Sequence, residues 1–334
     1  MYRYLLHRLL AVIPTLVGVG VVVFVLIRLI PGDPAEVMLG GFATPERVAA
    51  QRRDLGLDQP LVVQFGTWAR GIATGNLGRS IMSQAPVAQE IWSRFPATLE
   101  LTLLSTCFAL AVGLSLGIIS ATAHNSHLDL LTTLVSVLGM SIPIFWLGLM
   151  LLYVLGIWWQ VLPISGRLDL AISLRQITGL ILVDSLMQRD WAALADGLRH
   201  LALPAFTLAI IPIATISRMT RTSMVEVLRQ DYISTARAKG LTERVVLTRH
   251  ALKNALIPVL TVAGTRFGMQ LAGAVLVEVV YAWPGIGRLM FDAIQKRDYP
   301  LIQGAILFIA CLFVLINLLT DLLYAVVDPR ISFE

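Results

Sequence analysis

Six apolar runs, each long enough to cross a bilayer, decide what this chain can become. They fall at about Leu9–Ile30, Thr98–Ala121, Leu130–Ile157, Leu201–Met219, Ile257–Tyr281 and Leu301–Val327. A helix rises about 1.5 Å per residue, so roughly 20 apolar residues cover the ~30 Å hydrocarbon core. Inside that core every backbone N–H and C=O needs a protein partner, which a lone apolar run finds only as an α-helix. Of the 334 residues only 14% are charged, against about a quarter in a soluble domain. The expectation is an all-α polytopic membrane protein with six spans. Pro143 interrupts the third span inside SIPIF, and Pro204 and Pro212 stand in the fourth. A proline removes a ladder bond and kinks the helix that holds it. The first run is too long for a cleaved signal segment and lacks a small-residue cleavage site, so it reads as a retained anchor.

Charge orients the six spans. Arg3 and Arg8, eight cations from Arg218 to Lys253, and Arg330 share one side with both termini. The opposite loops, 31–97, 158–200 and 282–300, carry thirteen cations, but these are spread over more chain and nearly matched by acids. By density, the positive-inside rule places both termini and the central stretch in the cytoplasm. The net charge of +5 is then a matter of topology and not of nucleic-acid binding. The natural division is a first helix (1–30), an outer cap (31–97), a five-helix core (98–327) holding a cytoplasmic segment (220–256), and a tail (328–334). The cap has turn chemistry in PGDP, a helix start at Thr44-Pro45-Glu46 and a glycine-rich GIATGNLGRS. Leu55, Leu57, Leu61, Val62, Phe65, Trp68, Ile72 and Leu77 would anchor it as short packed helices. Trp158 and Trp159 sit where an interfacial aromatic belt belongs.

The cytoplasmic segment reads as helix, glycine, helix. Val225, Leu228, Tyr232 and Ala236 fall on one stripe of a helix from about 225 to 239, with Arg229, Ser234 and Arg237 off it. Gly240 suits a helix end with positive φ, Thr242 can cap the next helix, and Glu243 puts a carboxylate in its first turn. Such a stripe outside the apolar spans needs burial, which the membrane surface or a partner protein would give.

No catalytic constellation stands in the chain: no phosphate loop, no HExxH pair, no GxSxG elbow. His124 and His127 lack a third metal ligand nearby. Cys107 and Cys311 lie in apolar runs as small buried side chains. Polar groups inside the spans are costly and therefore informative. Arg266 and Gln270 stand four apart in the fifth span, Asn317 and Asp321 in the sixth, with Glu278 and Arg28 near outer ends. They fit a polar path or interhelical pairing such as Arg266 with Asp321; Arg28 fits snorkelling to the interface. Gly113, Ser115 and Gly117, and Gly264, Gly268 and Ala272, allow close helix contact.

DYISTARAKGL followed by RHALKNALIPVLT closely resembles the coupling loop of permeases in binding-protein-dependent ABC importers of the dipeptide/oligopeptide/nickel family, B type. RLIPGDP, FPATLELTL, SIPIFWLG, PISGRL, HLALPAF, EVVYAWPGIGRLMFDAIQKRDYPLIQG and LLTDLLYAVVDPRI extend the likeness along almost the whole chain. In the loop pattern EAAxxxG, nine residues, IxLP, Ala236, Gly240 and Leu252 match. Ser234 and Thr235 take the first two places, His250 replaces isoleucine and Lys253 replaces proline. Arg266 departs from the neutral residue expected there. The resemblance implies a type I importer permease in the bacterial inner membrane, pairing with a second, similar permease. Two cytoplasmic ATPases would bind ATP and Mg, and a periplasmic protein would deliver substrate; this chain itself would hold no catalytic group, cofactor or metal. It implies ATPase coupling by Val225, Leu228, Tyr232, Ala236, Arg237, Lys239, Gly240 and Leu241. Ser141, Pro143, Arg266 and Gln270 are candidates for the path, and Glu278, Trp283, Pro284, Asp298 and Tyr299 for an outer gate or binding-protein contact. Dipeptides or short peptides lead as substrate, with nickel, glutathione or another small solute as alternatives. The rival class is a secondary transporter or channel without ATPases.

Overall fold

The computed structural model describes residues 2–29 and 32–327, with side chains over 12–29 and 32–320. Its helices are, in order, α1 (Tyr2–Leu29), α2 (Pro34–Leu39), α3 (Pro45–Asp54), α4 (Leu61–Ala73), α5 (Val87–Thr122), α6 (His127–Ser141), α7 (Ile144–Leu151) and α8 (Ile181–Gln188). There follow α9 (Trp191–Leu228), α10 (Asp231–Ala238), α11 (Glu243–Val245), α12 (Lys253–Gly273), α13 (Val275–Val280), α14 (Ile286–Gln295) and α15 (Tyr299–Val327). Among the described residues the β structure is limited to one isolated bridge, Arg79 with Pro86. Five helices are long and apolar enough to cross a membrane, and a sixth span is counted if α6 and the helix from Ile144 to Trp158 are one broken span.

That break is sharper than a proline kink. The two pieces are bent by 100°. Ile142 precedes proline and is extended (φ −83°, ψ 127°), the conformation that the pyrrolidine ring imposes on its predecessor. Pro143 then opens α7. In α9, by contrast, Pro204 and Pro212 sit within one continuous 38-residue helix.

The chain divides into two compact units, Met1–Thr98 with Pro284–Leu312, and Leu99–Trp283 with Phe313–Glu334. The first is therefore larger than a cut after Ala97 would give. The reason is its core: Val23 and Ile27 of α1 and Val87 and Ile91 of α5 are buried with Ile286, Ala293, Tyr299, Ile302 and Ala305 of α14 and α15. Asp33 caps α2, accepting from the Ala35 N–H at 2.9 Å, and Thr44 caps α3, accepting from the Arg47 N–H at 3.4 Å. Asp33 also pairs with Arg52, tying α2 to α3. Helix α4 rests on α1 through Phe65 and Trp68, whose rings lie 5.2 and 5.7 Å from that of Phe24. Its expected anchors Leu61 and Val62 are exposed.

In the second unit α9 is the buried axis, with 78% of its most apolar window inside the fold. Gly113 and Gly117 of α5 face it directly. A Cβ on Gly113 would come within 2.9 Å of Ile216, and one on Gly117 within 2.5 Å of the Thr220 Cβ and 2.7 Å of the Ser217 carbonyl. Ser115 points away from this seam and is exposed. Gly264 and Gly268 of α12 approach Thr320 and Phe313 of α15 in the same way. Cys107 and Cys311, expected to be buried, lie exposed on their helices. At the other end of the α5–α9 seam, Asp129 in the first turn of α6 is 5% exposed. It accepts from Arg221 Nε (2.6 Å) and Nη2 (2.8 Å), Ser120 Oγ (2.5 Å) and the Asn125 N–H (3.0 Å). This node ties the α5–α6 turn to α9 seven residues before α9 ends.

Two outcomes follow for variants of the assembled protein, read as melting temperature in nanodiscs. Gly117→Val wedges the seam against backbone and is expected to cost about 1–3 kcal/mol, as overpacking does; an unchanged melting temperature would remove the close-contact role. Asp129→Ala strands Arg221 and is expected to cost about 3–5 kcal/mol, while the Asp129→Leu/Arg221→Met double variant recovers most of it.

Candidate functional site

The 220–256 segment does not form one helix from 225 to 239. Helix α9 runs on through Val225 to Leu228 and stops because Gln230 is extended (φ −76°, ψ 147°). Helix α10 then starts afresh, with Asp231 in its first turn, where a carboxylate favours the positive end of the helix dipole. Val225 and Leu228 therefore belong to a different helix from Tyr232 and Ala236. The stripe is also covered from within. Ile233 and Ala236, three apart, are buried with Ala121, Met224, Val246, Ala251 and Ala255, and Val225 and Leu228 pack on the same cluster.

Helix α10 ends as a Schellman motif. The Leu241 N–H reaches the Ala236 carbonyl at 3.4 Å and the Gly240 N–H the Arg237 carbonyl at 2.9 Å, with Gly240 at φ +76°. This pairing needs a left-handed residue at the second position past the helix, which glycine adopts without a Cβ penalty. Thr242 takes the next cap position but makes no side-chain capping bond. Glu243 instead turns back to Arg237, with Nη2–Oε1 at 2.6 Å and Nε–Oε2 at 3.1 Å. The hydrogen bonds to that carboxylate hold the Arg237 guanidinium above its ordinary pKa. The pair straddles the glycine turn, but at 44% and 56% exposure it is a solvated bridge that adds little stability.

Tyr232, at the start of α10, is 43% exposed and Leu241, past its end, 40%, and Lys239 and Gly240 are exposed beside Leu241. The Tyr232 hydroxyl accepts from Asn254 Nδ2 at 2.8 Å, which fixes α10 to α12. Nothing lies within 4 Å of the place a Gly240 Cβ would occupy.

The path candidates do not converge. Ser141 and Pro143 are exposed at the α6–α7 break. Gln270 is 6% exposed, and its amide is spent on Thr106 Oγ1 (2.7 Å), Ser105 Oγ (2.8 Å) and the Leu208 carbonyl (2.9 Å). Arg266 is half-buried and, among the described residues, has no hydrogen bond or ion pair. Met269 and Gly273, one and two turns on along its own face, are exposed. Arg266 thus borders the outward strip of α12, whereas Gln270 points into the bundle. Asn317 is half-buried, and the side chain of Asp321 lies outside the described residues.

The outer candidates are interior groups. In the second unit Glu278 and Trp283 are 0% and 1% exposed, so in this conformation they offer no surface to an arriving protein. Trp283 lies under the Arg167 guanidinium at 5.6 Å. Arg167 bonds Glu100 at 2.5 Å and the Gly179 carbonyl at 2.9 Å, and Glu100 accepts the Leu182 N–H at 2.7 Å. This cluster pins the 159–180 loop and α8 to α5 at Glu100. Tyr281, 2% exposed, donates to the Gly148 carbonyl (3.0 Å) and shares a hydrogen bond with Thr207 (2.9 Å), joining α13 to α7 and α9. In the first unit Pro284 is half-buried and Tyr299 buried. Asp298, 1% exposed, caps α15 and accepts from Ser80 Oγ and the Ile81 (3.1 Å), Met82 (3.3 Å) and Leu301 (3.3 Å) N–H groups. Sequence reasoning passed over Glu100, Arg167, Asp129 and Arg221. The available signal was a carboxylate placed beside an apolar run with an arginine in another run's flank.

The family described as binding-protein-dependent transport system inner membrane component matches residues 113–333, and its N-terminal counterpart residues 1–102. A dipeptide transport system permease of Alkalihalophilus pseudofirmus is 46% identical over 333 residues, covering all of both chains. A di/tripeptide transport system permease of Pseudomonas aeruginosa is 47% identical over 335 residues, and a glutathione transport system permease of Salmonella paratyphi A 40% over 334, each over all of both chains. With these matches running its full length, the chain belongs to the family of inner-membrane components of binding-protein-dependent transport systems, as a multi-pass permease subunit.

Proposed function

We propose that the chain is one transmembrane subunit of an ATP-driven importer that carries dipeptides or short peptides from the periplasm to the cytoplasm. Both termini and the 220–256 segment face the cytoplasm in this reading, and the cap around α2–α4 faces the periplasm. A second, homologous permease completes the pore, a periplasmic binding protein delivers substrate, and two ATPase subunits bind ATP and Mg beneath. The two permeases rock between inward-open and outward-open states, driven by the difference in contact energy that the ATPases make with each. Full-length identity of 46–47% to dipeptide and di/tripeptide permeases carries the substrate class; the 40% match to glutathione permeases keeps a peptide-like thiol as a second substrate to test.

The coupling surface is a knob formed by α10 and its glycine turn, with Tyr232 at one end and Gly240 and Leu241 at the other. Because Ile233 and Ala236 are buried within the chain, α10 is braced, and a push on the knob is transmitted to α9 and α12 and not absorbed by a loose helix. A secondary transporter would have no use for an apolar knob on that surface.

The test is ATPase activity of the reconstituted complex, stimulated by loaded binding protein. Gly240→Ala carries the positive-φ cost alone, about 1–2 kcal/mol, and is expected to keep most of the stimulation. Gly240→Trp bears the same backbone cost but adds bulk where this chain has empty space, and is expected to lose stimulation by about tenfold or more, equivalent to roughly 1.4 kcal/mol of docking. Equal behaviour of the two variants would show that nothing docks there. Tyr232→Ala with Leu241→Ala should weaken ATPase attachment, read by co-purification, with the permease still folded. Uptake by the chain alone, without ATPases, would overturn the whole reading.

A further inference from the structure

The first unit holds a cavity of about 420 Å3, walled by the end of α1, the 55–59 turn, α4, the 76–78 turn and the start of α15. Its size is that of a small-ligand site. One wall is apolar, with Leu57, Val63, Trp68 and Leu77. Two other lining groups carry unspent hydrogen-bond donors. The first is Arg28, whose Nε and Nη2 donate to Gln64 Oε1 (3.0 and 2.8 Å) and whose Nη1 donates to the Phe24 carbonyl (3.2 Å). The guanidinium stacks on the Phe24 ring at 3.4 Å. All of these partners are neutral, so among the described residues the cation has no counter-charge, and two of its five N–H groups are unused. Gln64 is itself fully engaged, donating to the Leu57 and Gln59 carbonyls, and so holds the arginine rigidly in place. The second group is Gln303, 4% exposed, whose amide nitrogen is buried without a partner. A buried donor left unmade is costly, and a native structure keeps one where something else comes to meet it.

A fixed, unneutralised guanidinium and an unsatisfied amide, facing an apolar wall, define the chemistry of the guest: an anionic acceptor on a short apolar body. Planar N–H donors of this kind favour a carboxylate. We propose that the cavity binds the carboxylate end of a short peptide, its carboxylate drawn to Arg28 and Gln303 and its side chain resting on Leu57, Val63 and Trp68. The site rests on the peptide-importer reading and adds a station in the first unit, where α4 meets the end of α1 and the start of α15. There a peptide released by the binding protein is held before it enters the path.

The experiment uses the complete permease–ATPase complex in nanodiscs without its binding protein, and tritiated glycyl-leucine as probe beside its C-terminal amide. The acid is expected to bind and the amide to bind at least about tenfold more weakly, the loss of one charge-assisted contact. Arg28→Gln and Gln303→Leu should each weaken the acid about tenfold, with Arg70→Gln, an exposed cation on α4 outside the cavity, as the unaffected control. Gln303→Leu removes an unmatched donor, so its melting temperature should equal or exceed that of the parent, which separates lost binding from lost folding. Equal binding of acid and amide, or binding that survives both cavity variants, overturns the site. The same preparation is assayed for ATP-driven uptake with the binding protein added. Uptake without binding in this cavity sinks the site and leaves the importer standing; absence of both sinks the importer reading itself.

Discussion

The approach of α5 to α9 at Gly113 and Gly117 is the contact on which the second unit depends. Apolar helices in a bilayer gain nothing from leaving water a second time, so they are held by close packing and by polar contacts. Two glycines one turn apart remove the Cβ atoms that would keep the backbones apart, and the gap is filled by Ile216, Thr220 and the Ser217 carbonyl. With α5 seated, Ala109 packs on Ala209, Ile213, Val259 and Ala263, which brings α12 onto the same axis. At the end of the seam Asp129 and Arg221 lock the α5–α6 turn.

Much of this was legible from residue order. Long apolar runs fix helices because no other backbone survives in hydrocarbon, and the helix start at Thr44-Pro45 follows from local hydrogen bonding; PGDP, read as a turn, in fact leads into α2 with Asp33 as its cap. The left-handed Gly240 was legible for the same reason, since its conformation is a property of a few bonds. What escaped were features that depend on partners far along the chain. The stripe from Val225 to Ala236 has helical spacing, yet spacing does not register that Gln230 leaves the helix, or that Ile233, one place off the stripe, is the buried residue. Trp283 and Glu278 were candidates for an outer gate or binding-protein contact through the resemblance; the Arg167–Glu100 cluster that covers Trp283 joins positions more than sixty residues apart. The bend at Pro143 was legible as a disturbance but not as a 100° turn, because its size is set by what each half packs against.

The break at Gln230 changes how force can travel. A single helix from 225 to 239 would move as a rod about its ends. Two helices meeting at an extended residue, with a shared buried cluster beneath, move as a braced corner. Ile233 and Ala236 contact residues from α5, α9 and the turns leading into α12 at once, and Tyr232 is tied to Asn254. Displacing α10 without displacing α9 and α12 would expose that cluster to water, at about 25 cal/mol for each Å2 of apolar surface. The hydrophobic effect, and not helix stiffness, makes the corner rigid.

Charge is distributed unevenly between acids and bases, and the imbalance has a physical reading. Of the five buried carboxylates among the described residues, Glu100, Asp129, Asp184 and Asp298 each accept several hydrogen bonds from this chain. Burial pushes the Asp184 carboxyl up, but the Thr178 hydroxyl and the Ile177, Thr178 and Gly179 N–H groups together bring it below the ordinary carboxylate range. Buried anions accept backbone N–H groups readily, because loops and helix starts supply unused donors at no cost in sequence. Cations have no such recourse, since a backbone carbonyl lends only a partial charge and most are already committed to helices. Arg28 makes do with a glutamine, a carbonyl and a ring, and Arg266 has no partner among the described residues. In a membrane protein such cations are expensive to keep; among the described residues these carboxylates are each met by several donors, whereas Arg28 meets only neutral groups and Arg266 none.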